Sequence, residues 1–286
     1  MAEPERDDRL LRRLTRRLPV ILAAALAVVV VVQAIYLTVA VIGPNPVWTL
    51  GMDYRYYVSL GERWLTDGTF YLPHQLAGPH DAGLLGLTSP VDTLYPPSAL
   101  LLFVPLVWLP AVLWWAVPIA VTVVVLVRLR PVAWTWPIML ALLAYPRATG
   151  AFLFGNTDML MMAAVAGGLV WGWPAILVTV KPSLGLLALV GVRHRSWWIA
   201  ASLGLVFVLL TLPLWLDYVT AMRNLRGLGL GYGLGSLPLM GIPLVAWFGR
   251  AGGLLDRLVA RRSVDRLTSP PLPSQPPPGE AMYPRG

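Results

Sequence analysis

The chain has 286 residues, of which 57% are hydrophobic and 13% charged, with a mean hydropathy of +0.67 and a formal net charge of +8. Soluble domains carry about 25% charged residues, so the composition excludes an ordinary soluble enzyme and predicts a polytopic membrane protein. The absence of cysteine excludes disulfide and thiolate chemistry, and three histidines with few clustered carboxylates argue against a dedicated zinc or iron centre. The arginines flank apolar segments instead of alternating with exposed aromatics, which argues against a nucleic-acid partner.

Charge-free blocks recur at 18–52, 93–127, 131–146, 159–180, 182–192, 196–216 and 227–249. A membrane crossing takes about 20 apolar residues, so the pattern predicts an all-α bundle of about seven or eight membrane segments, some broken or half-spanning. Residues 1–17 end in an arginine cluster that places the N-terminus in the cytoplasm. The adjoining apolar helix runs to about Ile42 and stops at GPNP. Its apolar core exceeds the roughly 7–15 residues of a cleaved signal, so it reads as an uncleaved first span.

Asp53 is the first ionisable group after that span and falls on the extracytoplasmic side. Residues 43–94 form a long extracytoplasmic segment. Tyr57, Leu60, Trp64 and Leu65 predict a short amphipathic helix on the membrane, then a Gly-, Pro- and His-rich loop. Pro96 and Pro97 suit a first helical turn, and Pro105, Pro110 and Pro118 are expected to interrupt the apolar stretch behind it. RLRP at 128–131 and RHR at 193–195 read as cytoplasmic markers. The three apolar segments between them give the wrong parity, unless one is re-entrant or one marker is misread. A helix is expected over 196–216, a glycine-rich loop over 223–236, a last apolar stretch at 237–249 and a disordered, Arg- and Pro-rich cytoplasmic tail over 251–286. The glycine-rich loop has neither the lysine nor the preceding strand of a phosphate loop.

Three groups of residues carry candidate chemistry. Asp53 could serve as general base toward a hydroxyl acceptor at the membrane surface, or be a solvated residue at a helix exit. Lys181 is the one lysine beside 21 arginines and sits between two apolar runs. A charge at such depth costs about 2.5–3.5 kcal/mol, so it faces a cavity, a partner or a lipid phosphate, unless it snorkels. Arg147, Asn156 and Asp158 lie within YPRATGAFLFGNTDM; Arg147 could bind phosphate, or pair with Asp158. His74, His80 and Asp81 show no metal-ligand spacing on a regular element and read as a polar loop.

Four motifs, in this order, give the chain a resemblance to the GT-C superfamily of integral-membrane glycosyltransferases, and within it to glycosyltransferase family 87. They are DYRYYVSLGERWLTDGTFY after the first helix, YPP at 95–97, GNTDML opening a later helix, and KPS at 181–183 inside an apolar segment. A weaker echo is Trp215-x-x-Tyr218 ahead of a short loop and Ser236-Leu237. That family includes polyprenol-phosphate-mannose-dependent mannosyltransferases of the actinobacterial cell envelope. The resemblance, over residues 18–245, implies transfer of a hexose, such as mannose, from a polyprenyl phosphate to a lipid or glycan acceptor. It implies metal and cofactor independence, inversion at the anomeric carbon, and a location in the plasma membrane. Asp53 would be the catalytic base, Lys181 and Arg147 would hold the donor phosphate, and Tyr54, Tyr57, Tyr95, Asn156 and Asp158 would line the substrate cavity.

The sequence departs from the family at Asn156, where glutamine is usual, and at Gly235, where asparagine often precedes the Ser-Leu. Family members also carry further helices beyond position 250. The resemblance therefore leaves open an inactive paralogue, a compact variant, or an enzyme whose cavity a membrane partner completes. Two rival readings remain: a polyprenyl-phosphate or other lipid carrier or flippase without catalysis, and a non-catalytic membrane scaffold docking through its proline-rich tail.

Overall fold

A computed structural model describes residues 3–42, 49–81, 92–226 and 235–253. They are mostly helical. The expected tail from 254 onward, the glycine-rich stretch 227–234 and parts of the first long segment (43–48 and 82–91) lie outside the described residues.

Helix α1 spans Glu3–Ile42, longer than expected because the basic N-terminal arm continues the apolar helix. Within it Arg17–Ala40 is long and apolar enough to cross a membrane, and none of that window is buried inside the protein. So large an apolar surface calls for lipid around it. A second helix of sufficient length is α5, Val112–Leu129. Pro118 sits inside α5 without breaking it, contrary to expectation; Thr122 donates back to the Pro118 carbonyl at 2.8 Å. Such local adjustments let membrane helices carry proline.

Two predicted spans are bent. The block 131–146 becomes α6 (Thr135–Leu143), which meets α7 (Pro146–Phe154) at 64°. The block 196–216 becomes α9 (Arg195–Leu210), which meets α10 (Leu212–Asn224) at 82° across Thr211. In both, a proline opens the second half, where its missing N–H costs nothing. Two described helices can therefore cross a membrane by length and composition, or up to four if each bent pair is one span. The remaining apolar helices are shorter: α4 (Leu100–Leu106), led in by a 3₁₀ turn at Pro97–Ala99 as the YPP motif predicts, then α8 (Asp158–Trp171) and α11 (Leu237–Phe248).

Helix α8 is the centre of the packing: almost every residue from Asp158 to Gly168 is buried, with Met159, Met161 and Met162 in the core. Two 3₁₀ helices, Trp173–Val180 and Pro182–Gly191, pack on it and on each other. A Cβ on Gly191 would run into the Gly172 carbonyl oxygen, so the second helix ends where the first begins. The pair is a hairpin with Lys181 at its tip. At about 2.0 Å per residue its arms reach about 16–20 Å, short of a hydrocarbon thickness of about 30 Å.

This hairpin brings the arginine markers together. The Arg128 guanidinium lies 5.3 Å over the Trp171 ring, and the Val132 amide bonds the Gly249 carbonyl at 2.9 Å. A Cβ on Gly172 would meet the His194 side chain. Both arginine clusters and Arg250 thus gather at one end of the bundle, with α6–α7 leading away from it, α8 leading back, and the hairpin returning on itself.

The first long segment is ordered by its own polar core. Helix α2 (Met52–Asp67) forms as predicted, but Tyr57 and Leu60 are buried in the protein core instead of lying on the membrane, and Leu65 stays exposed. The region read as a loop contains α3 (Pro73–Ala77) and β1 (His80–Asp81), which pairs in parallel with β2 (Leu225–Arg226). Gln75, fully buried, accepts from the backbone amides of Leu72 and Thr93 and donates to the Thr93 carbonyl at 3.0–3.1 Å. A buried amide with these bonds ties both ends of the segment together.

Candidate functional site

At the end of the bundle opposite the arginine clusters, α2, α7, α8, the hairpin tip and the start of α11 converge. Two left-handed glycines make the junction: Gly51 (φ +66°) before α2 and Gly155 (φ +71°) after α7. The Gly51 amide donates to the Leu153 carbonyl at 2.9 Å. The Trp114 indole donates to the Gly155 carbonyl and the Trp115 indole to the Phe152 carbonyl, each at 2.7 Å. A Cβ on Gly155 would fall 2.8 Å from Trp115 Cζ2 and 3.0 Å from Tyr54 Cβ. Glycine at this point lets α2 approach the turn that carries Asn156.

Asn156 Nδ2 donates to Asp53 Oδ2 at 2.6 Å. The amide orientation follows from its other end, where Oδ1 accepts the Asp158 backbone N–H at 3.0 Å. One residue thus caps the start of α8 and holds the carboxylate of α2. Among the described residues the second Asp53 oxygen has no hydrogen-bond partner. Asp53 lies outside the candidate spans, and burial pushes its carboxyl above the ordinary value of 3.8. The Asn156 hydrogen bond opposes that rise, the charge of Asp158 adds to it, and the charges of Lys181 and Arg147 oppose it. All four predicted polar residues therefore act on Asp53.

Behind this half-buried pair is a buried one. Lys181 Nζ lies 2.5 Å from Asp158 Oδ1 and donates to Ser236 Oγ at 2.9 Å, and Ser236 donates to Asp158 Oδ2 at 2.7 Å. Asp158 is 2% exposed and Lys181 7%. Of the alternatives open in the sequence, Asp158 pairs with Lys181, and the Lys181 ammonium neither snorkels nor faces an open surface. Arg147 is half-buried against Gly235, where an added Cβ would fall 2.7 Å from its Nη1. Gly235 is the residue that leaves room for the guanidinium.

Tyr54, Tyr57 and Tyr95 were expected to line a cavity, and they divide. Tyr54 is half-buried, its ring 5.3 Å from that of Trp115. Tyr57 and Tyr95 are core residues, 1% and 8% exposed. Their hydroxyls share a 3.1 Å hydrogen bond, Tyr95 reaches Thr157 Oγ1 at 3.0 Å, and the Thr157 amide donates to the Tyr57 hydroxyl at 3.3 Å. Tyr57 also stacks on Phe103 at 4.7 Å. Both fix the start of α8 and thereby Asn156.

Two groups went unseen in the sequence. Ser236 bridges the ion pair, and the Ser-Leu echo was its only signal. Asp92 collects both loop histidines: His74 Nε2 lies 2.6 Å from its Oδ1 and His80 Nε2 3.5 Å from its Oδ2. No family model, curated protein or solved structure matches this chain.

Proposed function

We propose that this protein is an integral-membrane glycosyltransferase of the GT-C type that moves a hexose, such as mannose, from a polyprenyl phosphate to an extracytoplasmic lipid or glycan acceptor. The observation that carries this reading is the Asp53–Asn156 pair. A half-buried carboxylate, its pKa raised by burial, keeps one oxygen for a substrate proton because an amide anchors the other.

In the reaction the unanchored Asp53 oxygen takes the acceptor's hydroxyl proton. The acceptor oxygen bonds to the anomeric carbon as the bond from that carbon to the phosphate oxygen breaks, and polyprenyl phosphate leaves with the electron pair. A single displacement inverts the anomeric centre. Arg147, half-buried beside Gly235, is the more accessible of the two cations and suits the leaving phosphate; Lys181, 7% exposed and bonded to Asp158 and Ser236, positions α8 and α11. The arginine-rich end of the bundle is cytoplasmic by the positive-inside rule, which puts Asp53 on the outer face. On this reading the short helices and the hairpin are partial crossings within the seven or eight segments that the sequence predicts.

The test supplies the purified chain with a labelled polyprenyl-phosphate hexose and a membrane-lipid acceptor fraction. Transfer with release of polyprenyl phosphate and an inverted product is expected. Donor binding without transfer in any acceptor fraction would overturn the reading in favour of a lipid carrier.

A further inference from the structure

The first long segment contains a second polar cluster, away from Asp53. His74 lies on α3, His80 on β1, and Asp92 just before the buried Thr93. One ligand atom from each of the three falls within 4.8 Å of the others. The imidazole rings stand edge to face, 5.4 Å apart at 88°, with one Asp92 oxygen toward each.

The hydrogen bonding of His80 is the decisive detail. Its Nδ1 lies 3.4 Å from the Gly78 carbonyl oxygen, an acceptor, which places the ring proton on Nδ1. Its Nε2 is buried with no hydrogen-bond partner among the described residues, and an Asp92 carboxylate oxygen lies 3.5 Å away. The ring nitrogen and the carboxylate attract only with a cation between them, either a proton on Nε2 or a metal ion that displaces it. A carbonyl on the far ring nitrogen is also the outer contact by which proteins orient metal-binding histidines.

The spacing suits an ion. Ligands about 2.0–2.2 Å from a tetrahedral metal are about 3.3–3.6 Å from one another. His80 and Asp92 already stand at that separation, and both side chains are nearly covered, at 13% and 11% exposed. His74 is 53% exposed and can swing to complete the set. Two imidazoles and a carboxylate select a borderline transition metal over magnesium or calcium, which prefer all-oxygen sites.

We propose that His74, His80 and Asp92 form a zinc-class metal site with a fourth position open to water. The ion would clamp α3 to the chain on the far side of residues 82–91. That clamp joins existing ties: the Tyr56 hydroxyl donates to the Asp92 carbonyl at 2.6 Å, and β1 pairs with β2. The site does not depend on the transferase reading, since binding is measured without any substrate.

The experiment uses the full chain in detergent, without a histidine tag, stripped with chelator and titrated with Zn²⁺ by calorimetry and thermal unfolding. One equivalent is expected to bind with proton release and to raise the melting temperature. His80→Ala and Asp92→Asn should lose both effects while melting, metal-free, close to the metal-free parent; His74→Ala should weaken binding at least tenfold. The proposal is overturned if the parent binds Zn²⁺ no more tightly than His80→Ala, or if His80 and Asp92 are held by a shared proton alone. In the latter case Zn²⁺ would leave the melting temperature unmoved.

Discussion

Asn156 holds the Asp53 carboxylate through a 2.6 Å hydrogen bond that spans 103 residues of chain. The bond favours the charged form of the acid, against the burial that disfavours it. Removing the donor in Asn156→Ala lets the Asp53 pKa rise further. Because the base must be deprotonated to act, the acid limb of the kcat/KM profile should move to higher pH. The lost bond should cost about 0.5–1.5 kcal/mol of stability. A limb that stays in place, or moves to lower pH, would show that Asp53 is not the titrating base.

Lys181 and Asp158 form a buried ion pair at 2.5 Å. Breaking it from one side leaves an uncompensated charge, which costs about 3–5 kcal/mol, whereas replacing both partners by apolar residues is often neutral. Lys181→Met should therefore lower the melting temperature sharply, and Lys181→Met with Asp158→Leu should recover most of the loss. A double variant as unstable as the single one would contradict the pairing.

Gly235 gives Arg147 its place. In Gly235→Ala the new methyl would lie 2.7 Å from Arg147 Nη1 and 2.8 Å from Cδ, so the guanidinium must swing away. Only a flexible side chain has to move, so the melting temperature should hardly change. Donor KM should rise about tenfold, the equivalent of about 1.4 kcal/mol. An unchanged donor KM would remove Arg147 from phosphate binding.

Gly155→Ala acts through the backbone. The residue sits at φ +71°, and a Cβ there would meet Trp115 and Tyr54 at 2.8 and 3.0 Å. Strain at such a position costs about 1–3 kcal/mol. Asn156 is the next residue, so activity should fall more than the loss of folded protein explains. Equal losses, measured on the same preparation, would show that the turn supports the fold alone.

Much of this was legible in the sequence because it depends on local signals. Apolar runs, the YPP turn and the α2 helix itself follow from periodicity and proline chemistry, and the folded chain agrees with them. The α6–α7 and α9–α10 bends were not legible, since an apolar run has the same composition straight or bent. Nor was the hairpin around Lys181, because a long 3₁₀ pair leaves no period distinct from a helix in so uniform a stretch. Within the site, Asp53, Arg147, Asn156, Asp158 and Lys181 stood out as polar residues among apolar ones. Which of them pair could not be read, because the choice of Lys181 over Arg147 for Asp158 is made by the hairpin tip and Ser236. Asp92 was missed for a similar reason: it lies 18 residues from His74, and only the fold brings them together.

The proposed role of Asp53 as base is tested most directly at Asp53 itself. Asp53→Asn keeps the size of the side chain and can still meet the Asn156 amide through its carbonyl oxygen, but it cannot take a proton. General-base catalysis contributes about 10²–10⁴-fold. Transfer from a defined polyprenyl-phosphate hexose, measured in membranes at equal amounts of folded protein, should fall by about that factor with donor binding retained. Full transfer by Asp53→Asn would show that Asp53 is not the base.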